Sequence, residues 1–148
     1  MEGTSIRRVR TTDMPYIYEI EQLSFIQPYP SSYIDSLAHL APKTFLIAEK
    51  MGKIVGYVVA IVQGAGLGHV ISIAVHPEYY RQGIGTALIL RLMEILKEQG
   101  ASAVRLEVRK SNIAAQKMYA KLGFKIAHTL QKYYENGEDC VVMLKAIG

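Results

Sequence analysis

The sequence predicts an α/β domain in which seven strands and four helices follow one another in the order β-α-α-β-β-β-α-β-α-β-β. Apolar residues recur at helical spacing over Thr86–Gln99 and at strand spacing over Val104–Arg109. Hairpin signals stand at Lys50–Lys53 and at Glu135–Glu138. At 148 residues the expectation is one domain over 1–148, burying roughly 70% of the surface of its unfolded chain.

Ile6–Arg10 alternates apolar and charged residues like an edge strand, and Asp13 offers a cap to a helix running to Phe25, with Ile17, Ile20 and Ser24 on one face. Gln27-Pro28-Tyr29-Pro30 stops that helix, because each proline lacks an N–H and restricts the residue before it. Ser31 or Ser32 caps a second helix ending at Leu40. Thr44–Glu49 and Ile54–Gln63 are β-branched strands joined by Lys50-Met51-Gly52-Lys53, and Gly68–His76 is a further strand. Over Thr86–Gln99, Leu88, Leu92, Ile95 and Leu96 form one stripe and Arg91, Glu94, Lys97 and Glu98 another, and Gly100 is the stop. Val104, Leu106 and Val108 alternate with Arg105, Glu107 and Arg109, which puts the three charges on one sheet face. Asn112–Leu122 is a short amphipathic helix closed by Gly123, and Phe124–Tyr134 and Asp139–Ala146 flank the Asn136-Gly137 turn.

Half the residues are apolar and 20% are charged, a globular and not a disordered composition. Ile54–Val75 lacks any charged residue, yet Gln63, Gly64, Gly66, Gly68 and His69 break it into two strands and argue against a membrane span. Arg7, Arg8 and Arg10 have no apolar run after them, so no secretory signal is expected and the cytosol is the expected location. Cys140, the single cysteine, excludes an internal disulfide and a thiolate metal cluster, and its neighbours Val141, Val142 and Met143 place it in a core strand. The net charge is +4, but Ala101–Lys132 holds seven Lys or Arg against Glu107 alone. That stretch suits a polyphosphate, an acidic peptide or RNA, and equally a solvated face.

Arg81-Gln82-Gly83-Ile84-Gly85-Thr86 follows a strand and opens the long helix. Glycines let a backbone approach a ligand closely, and the free N–H groups of a first helical turn form a seat for phosphate. Leu88 stands where a dinucleotide fingerprint needs glycine, and no Gly-Lys-Ser/Thr follows, so neither the Rossmann nor the Walker A pattern applies. By itself the segment reads as a pyrophosphate site or as a plain turn.

Ile73-Ala74-Val75-His76-Pro77 followed by Arg81–Thr86 resembles the acetyl-CoA motif of the GNAT superfamily of N-acetyltransferases. Leu106-Glu107-Val108-Arg109, Ser111-Asn112, Ala115, Tyr119 and Leu122-Gly123-Phe124 resemble the second half of that pattern, and Tyr133-Tyr134 with Gly137-Glu138-Asp139 is similar to the tail of RimI-like and archaeal N-terminal acetyltransferases. The resemblance spans nearly the whole chain. It implies a mixed, mostly antiparallel seven-stranded sheet flanked by about four helices, and transfer of acetyl from acetyl-CoA to the N-terminal amine of a protein or peptide, including ribosomal or nascent chains. The backbone of Ile73, Ala74 and Val75 would then hold the pantetheine arm and thioester. Arg81, Gln82, Gly83, Ile84, Gly85 and Thr86 would bind pyrophosphate, Asn112 would contact the cofactor and Tyr119 would face its sulfur. Glu107 matches the general base, often acting through water, and His69 a histidine near the amine in archaeal relatives. Tyr29, Tyr133 and Tyr134 match the acceptor side, as does Gln27, where NatA-like archaeal enzymes often carry glutamate.

These residue types suit amine acetylation. An α-amine of pKa about 8 is roughly one-tenth free near neutrality, whereas lysine at about 10.4 is almost fully charged, so a weak base suffices for the first. Glu107 or His69 takes the remaining proton and Tyr119 protonates the leaving thiolate. Structural readings stand beside these roles: Glu107 in an ion pair with Arg105 or Arg109, Tyr119 as a core tyrosine with Ala115 and Leu122, His69 as a satisfied histidine or half of a metal-binding pair. A small amine such as a polyamine is the alternative acceptor, and a non-catalytic CoA- or RNA-binding module is the alternative from another class. No membrane partner is expected, and the chain lacks the interleaved aromatic and basic residues of RNA platforms.

Overall fold

The computed structural model describes residues 3–148. Its strands are β1 (Thr4–Arg8), β2 (Phe45–Lys50), β3 (Lys53–Gln63), β4 (Leu67–Val75), β5 (Ala103–Arg109), β6 (Lys125–Leu130) and β7 (Cys140–Ala146). They form one sheet in the order β1-β2-β3-β4-β5-β7-β6. Every neighbouring pair is antiparallel except β4 with β5, whose crossover is helical. The helices are α1 (Met14–Ser24), α2 (Ser31–Leu40), α3 (Ile84–Glu98) and α4 (Ile113–Lys121), so the expected order of elements is realised.

The period of two along the strands sorts side chains onto the two faces. On β2, Phe45 and Ile47 pack with Ile17 and Ile20 of α1 and Ile34 and Leu37 of α2, whereas Leu46 and Ala48 pack with Leu88, Leu92 and Leu96 of α3. Each fully buried aliphatic side chain contributes about 1.5–3 kcal/mol. On β5, Val104, Leu106 and Val108 join the α3 face, leaving Arg105, Glu107 and Arg109 on the face of α1. Cys140 is fully buried in β7, the expected structural place. Among the described residues no helix is long and apolar enough to cross a membrane.

Several boundaries differ from expectation for local reasons. Lys50 pairs with Lys53 across Met51 and Gly52, both at positive φ, which makes the tight hairpin expected there. Asn136-Gly137 makes no such hairpin: β6 stops at Leu130, and a nine-residue loop from Gln131 to Asp139 joins it to β7. Within that loop the Asn136 side chain accepts from the Glu138 amide, so the pair shapes the loop and not a strand register. Thr44 lies in a 3-10 turn before β2, its hydroxyl donating to the Ala60 carbonyl. Helix α3 starts two residues earlier than Thr86, after Gly83 in the left-handed conformation. At its other end the Ala101 amide donates to Leu96 and the Gly100 amide to Lys97, with Gly100 at φ +87°, a Schellman stop. Pro30, and neither Ser31 nor Ser32, occupies the N-cap of α2, where its carbonyl accepts from Tyr33 and Ile34.

Strand β1 ends at Arg8, because its partners on β2 run only from Lys50 to Leu46. Asp13 precedes α1 without capping it. Its buried carboxylate instead accepts from both terminal nitrogens of Arg7, at 2.8 and 2.9 Å, and from the Arg10 amide. Burial works against the charge, but the Arg7 and Arg10 hydrogen bonds outweigh it and hold Asp13 below its ordinary pKa. The stability this provides is complete above the unfolded carboxyl value near about 3.9 and is lost as pH falls through the lower folded value. Asp13→Asn is expected to lower unfolding stability by about 2 kcal/mol at pH 7, with the gap to the native chain closing in acid. Urea unfolding at the two pH values measures both effects.

Candidate active site

Strands β4 and β5 pair through three positions only, Leu67 with Ala103, Gly68 with Val104 and His69 with Arg105. Immediately beyond, the register of β3 with β4 jumps from Val59–Ser72 to Ala60–Val70, leaving Ile71 as an extra residue. This β-bulge bends β4 away. It also turns Ile71 and Ser72 to the same side: Ile71 packs with the α1 cluster, and the Ser72 hydroxyl meets Tyr57 and Glu21. From Val70 to Val75 the β5-facing edge of β4 therefore carries backbone donors and acceptors with no strand opposite, and buried groups of that kind need a partner.

A cleft of about 890 Å³ opens at this wedge. His69 projects into it from β4 and Glu107 from β5, and His69 Nε2 lies 2.8 Å from both Glu107 carboxylate oxygens. Both side chains are mostly buried, at 17% and 14% exposure. Of the two arginines that could pair with Glu107, Arg109 does not: it bridges to Glu138 at 3.2 Å and stacks on the Tyr134 ring at 3.9 Å, because the β6–β7 loop folds back over it. Arg105 stands 3.9 Å from Glu107 and is the weaker partner. His69 Nδ1 and Arg105 Nε are buried without a hydrogen-bond partner among the described residues. Among those residues no group of three or more His, Cys, Asp or Glu converges on a metal-sized site.

Tyr119 reaches the cleft from α4. It belongs to the α3-side core, edge-on to Phe124 at 5.8 Å, and burial pushes its phenol well above the ordinary value. Glu107 belongs to the other sheet face, so the wedge is the passage through which the two meet one cavity. Ile73 lines that cavity, while Ala74 turns into the α1 core and Val75 packs toward α3. Asn112 lines it as well, with Oδ1 capping α4 through the Ala115 amide at 3.1 Å and its NH₂ left over.

Arg81–Thr86 lies at the far end of β4, outside the lining of this cleft. Arg81 and Gly83 have φ of 63° and 77°, which turns the chain so that the Ile84, Gly85 and Thr86 amides open the first turn of α3. A Cβ added at Gly85 would stand 3.3 Å from Met118 Sδ, a close approach that the flexible thioether would have to relieve by shifting a few tenths of an ångström. The donor set is several backbone N–H groups and the Arg81 guanidinium, which fits a diphosphate. Gln82 points elsewhere and accepts from Lys50 Nζ.

The opposite wall combines the α1–α2 loop and the β6–β7 loop. Gln27 Nε2 donates to Glu135 at 2.8 Å across the cleft mouth. Tyr29 packs on Tyr33 at 4.8 Å and Tyr133 on Tyr134 at 5.0 Å. Burial pushes the Tyr29 phenol up to about 12, with help from Tyr33 and the Glu21 charge. Sequence reasoning missed Glu21, Ser72, the Ile71 bulge and the aromatic lining of Tyr33. Glu21 had a signal: it sits among Ile17, Ile20 and Ser24 on the face of α1 that is buried.

Residues 14–124 match the model of the Acetyltransferase (GNAT) family. The chain is 40% identical to an N-alpha-acetyltransferase of Sulfurisphaera tokodaii over 93% of its own length and 90% of the relative's. It is 33% identical to the [ribosomal protein bS18]-alanine N-acetyltransferase of Escherichia coli, covering 94% of this chain and 95% of that one. The crystal structure of Ard1 from Thermoplasma volcanium superposes with a TM-score of 0.93 at 29% identity, covering 97% of each chain.

Gly83→Ala forces a Cβ into the left-handed conformation and is expected to cost about 1–2 kcal/mol. Urea unfolding measures that loss, and inorganic pyrophosphate is expected to protect the variant less than the native chain from thermal unfolding.

Proposed function

The chain belongs to the GNAT acetyltransferase family and is an acyltransferase that uses acetyl-CoA, and from that premise we propose that it acetylates the N-terminal α-amine of proteins or peptides. The observation that carries this reading is the His69–Glu107 pair, in contact at 2.8 Å and sharing one cleft with Tyr119 and an aromatic wall. Acetyl-CoA supplies a thioester whose carbonyl carbon receives the amine and whose sulfur leaves.

The residues that hold it are the Arg81–Thr86 turn at the diphosphate, the exposed edge of Ile73, Ala74 and Val75 along the arm, and the free amide group of Asn112. A backbone N–H of that β4 edge steadies negative charge on the carbonyl oxygen. Glu107, directly or through one water, takes the proton from the attacking nitrogen, and His69 holds the carboxylate in place with its Nε2. Tyr119, kept neutral by burial, donates its hydroxyl proton to the departing sulfur. Alignment of the two reactants from opposite sheet faces removes much of the entropic barrier.

The acceptor wall favours a peptide over a polyamine. Phe25, Tyr29, Tyr33, Tyr133 and Tyr134 offer flat apolar surface for side chains, and the Gln27–Glu135 bridge crosses the mouth. The carboxylates that line the cleft already have partners: Glu21 with Tyr57, Glu107 with His69 and Glu135 with Gln27. A second cation of a polyamine would have to displace these hydrogen-bond donors to reach a carboxylate oxygen. Ribosomal and nascent chains are the acceptors to try first, given what the relatives are named for.

Incubation with acetyl-CoA and peptides varied at the first residue, followed by mass mapping, is expected to place acetyl on the α-amine. Acetyl confined to an internal lysine of N-blocked peptides would contradict the proposal. With an α-amine acceptor, kcat/KM is expected to climb with pH and level off near the amine pKa of about 8. Glu107→Gln and Tyr119→Phe are each expected to lower kcat by about 100-fold while coenzyme affinity by calorimetry changes far less. Unchanged turnover in both would remove them from the chemistry.

A further inference from the structure

Glu21 is a charged residue on an otherwise apolar helix face, with a relative exposure of 1%, and it lines the cleft without belonging to the acid–base pair. Both of its oxygens are occupied. Oε1 accepts from the Tyr57 hydroxyl and, at 3.2 Å, from the Ser72 hydroxyl; Oε2 accepts from the Tyr29 backbone amide at 2.8 Å. Tyr57 and Ser72 are themselves 2.9 Å apart. A carboxylate taken out of water is costly unless its lone pairs are filled, and here three donors from three different segments fill them.

The segments are the informative part. Tyr57 belongs to β3, Ser72 to β4 one residue past the bulge, and Tyr29 to the loop between α1 and α2 that walls the acceptor side. That loop has Pro28 and Pro30 on either side of Tyr29, and neither supplies a backbone N–H. The Tyr29 amide is thus the one backbone donor over Pro28–Pro30, and Glu21 is its acceptor. A single carboxylate fastens the acceptor wall to the strand whose edge faces the wedge.

We infer that Glu21 is a positioning residue for the acceptor: it fixes the Tyr29 segment at a set distance from β4 and so determines peptide affinity, without taking part in proton transfer. The inference rests on the N-terminal acetyltransferase reading, since it assigns the α1–α2 loop to the acceptor. It separates two effects that a general structural role would merge. Loss of the tie loosens one wall of the cleft while the Arg81–Thr86 turn and the His69–Glu107 pair stay as they are.

Glu21→Gln keeps the shape but has one oxygen, which cannot serve the Tyr29 amide and the Tyr57–Ser72 pair together. Glu21→Ala removes both acceptors. In steady-state assays with a peptide acceptor, KM for peptide is expected to rise several-fold in Glu21→Gln and more than about tenfold in Glu21→Ala, one fully lost charge-assisted hydrogen bond being worth at least that factor. KM for acetyl-CoA and the shape of the kcat–pH profile are expected to stay as in the native enzyme. Deuterium exchange of a proteolytic peptide spanning 25–30 is expected to quicken in Glu21→Gln, a readout that needs no turnover. Should Glu21→Ala fail to fold, Glu21→Gln decides alone. Peptide KM and loop exchange both at native values would overturn the inference, as would a shifted pH profile, which would make Glu21 a base. Faster loop exchange in Glu21→Gln, alongside a native enzyme that acetylates no peptide amine, would leave the tie standing and fail the proposed function instead.

Discussion

The active-site architecture depends on a parallel strand pair that is allowed to form for three residues and no more. Backbone hydrogen-bonding groups in a sheet interior are almost always paired, so an interruption between two central strands is expensive unless something else takes up the pairing. Here the Ile71 bulge imposes the interruption, and the uncovered edge of β4 becomes a row of donors and acceptors aimed into a cavity. Everything chemical in the cleft is arranged around that gap: His69 at its closed end, Glu107 on the opposite strand, Tyr119 below it on α4.

The gap also explains why a two-sided sheet suits this reaction. The face covered by α3 and α4 presents the glycine turn and its amides, while the face covered by α1 and α2 presents carboxylates and tyrosines. A coenzyme and an amine carry opposite charge. In the function proposed above, separate entry from the two faces would let each meet a complementary surface, and the wedge would bring their reacting atoms together without a covalent enzyme intermediate.

Much of this was legible in the chain. The alternation of Val104, Leu106 and Val108 with Arg105, Glu107 and Arg109 determined which strand face would be charged, because period two is forced by backbone geometry. The helical stripe of Leu88, Leu92, Ile95 and Leu96 located α3, and the residues resembling the GNAT pattern located the turn before it. What escaped was set by pairing across long separations. Nothing within Val70-Ile71-Ser72 marks a bulge, since the extra residue exists only relative to β3. Glu107 stands two residues from both Arg105 and Arg109 in the sequence, but a loop nearly thirty residues past Arg109 supplies it with Glu138. Asp13 had the chemistry of a cap and was claimed by Arg7 from β1. Glu21 was visible as an acidic residue on an apolar stripe, yet its three partners come from places local patterns do not connect.

In the proposed function the opened edge of β4 and the first turn of α3 together form the coenzyme seat. Residue-resolved amide exchange on the folded protein, with and without saturating CoA, tests it most directly. The account predicts slowed exchange at Ile71–Val75 and at Gly83–Thr86, with β1 and β2 unaffected. CoA binding that leaves both segments exchanging at their free rates would contradict it.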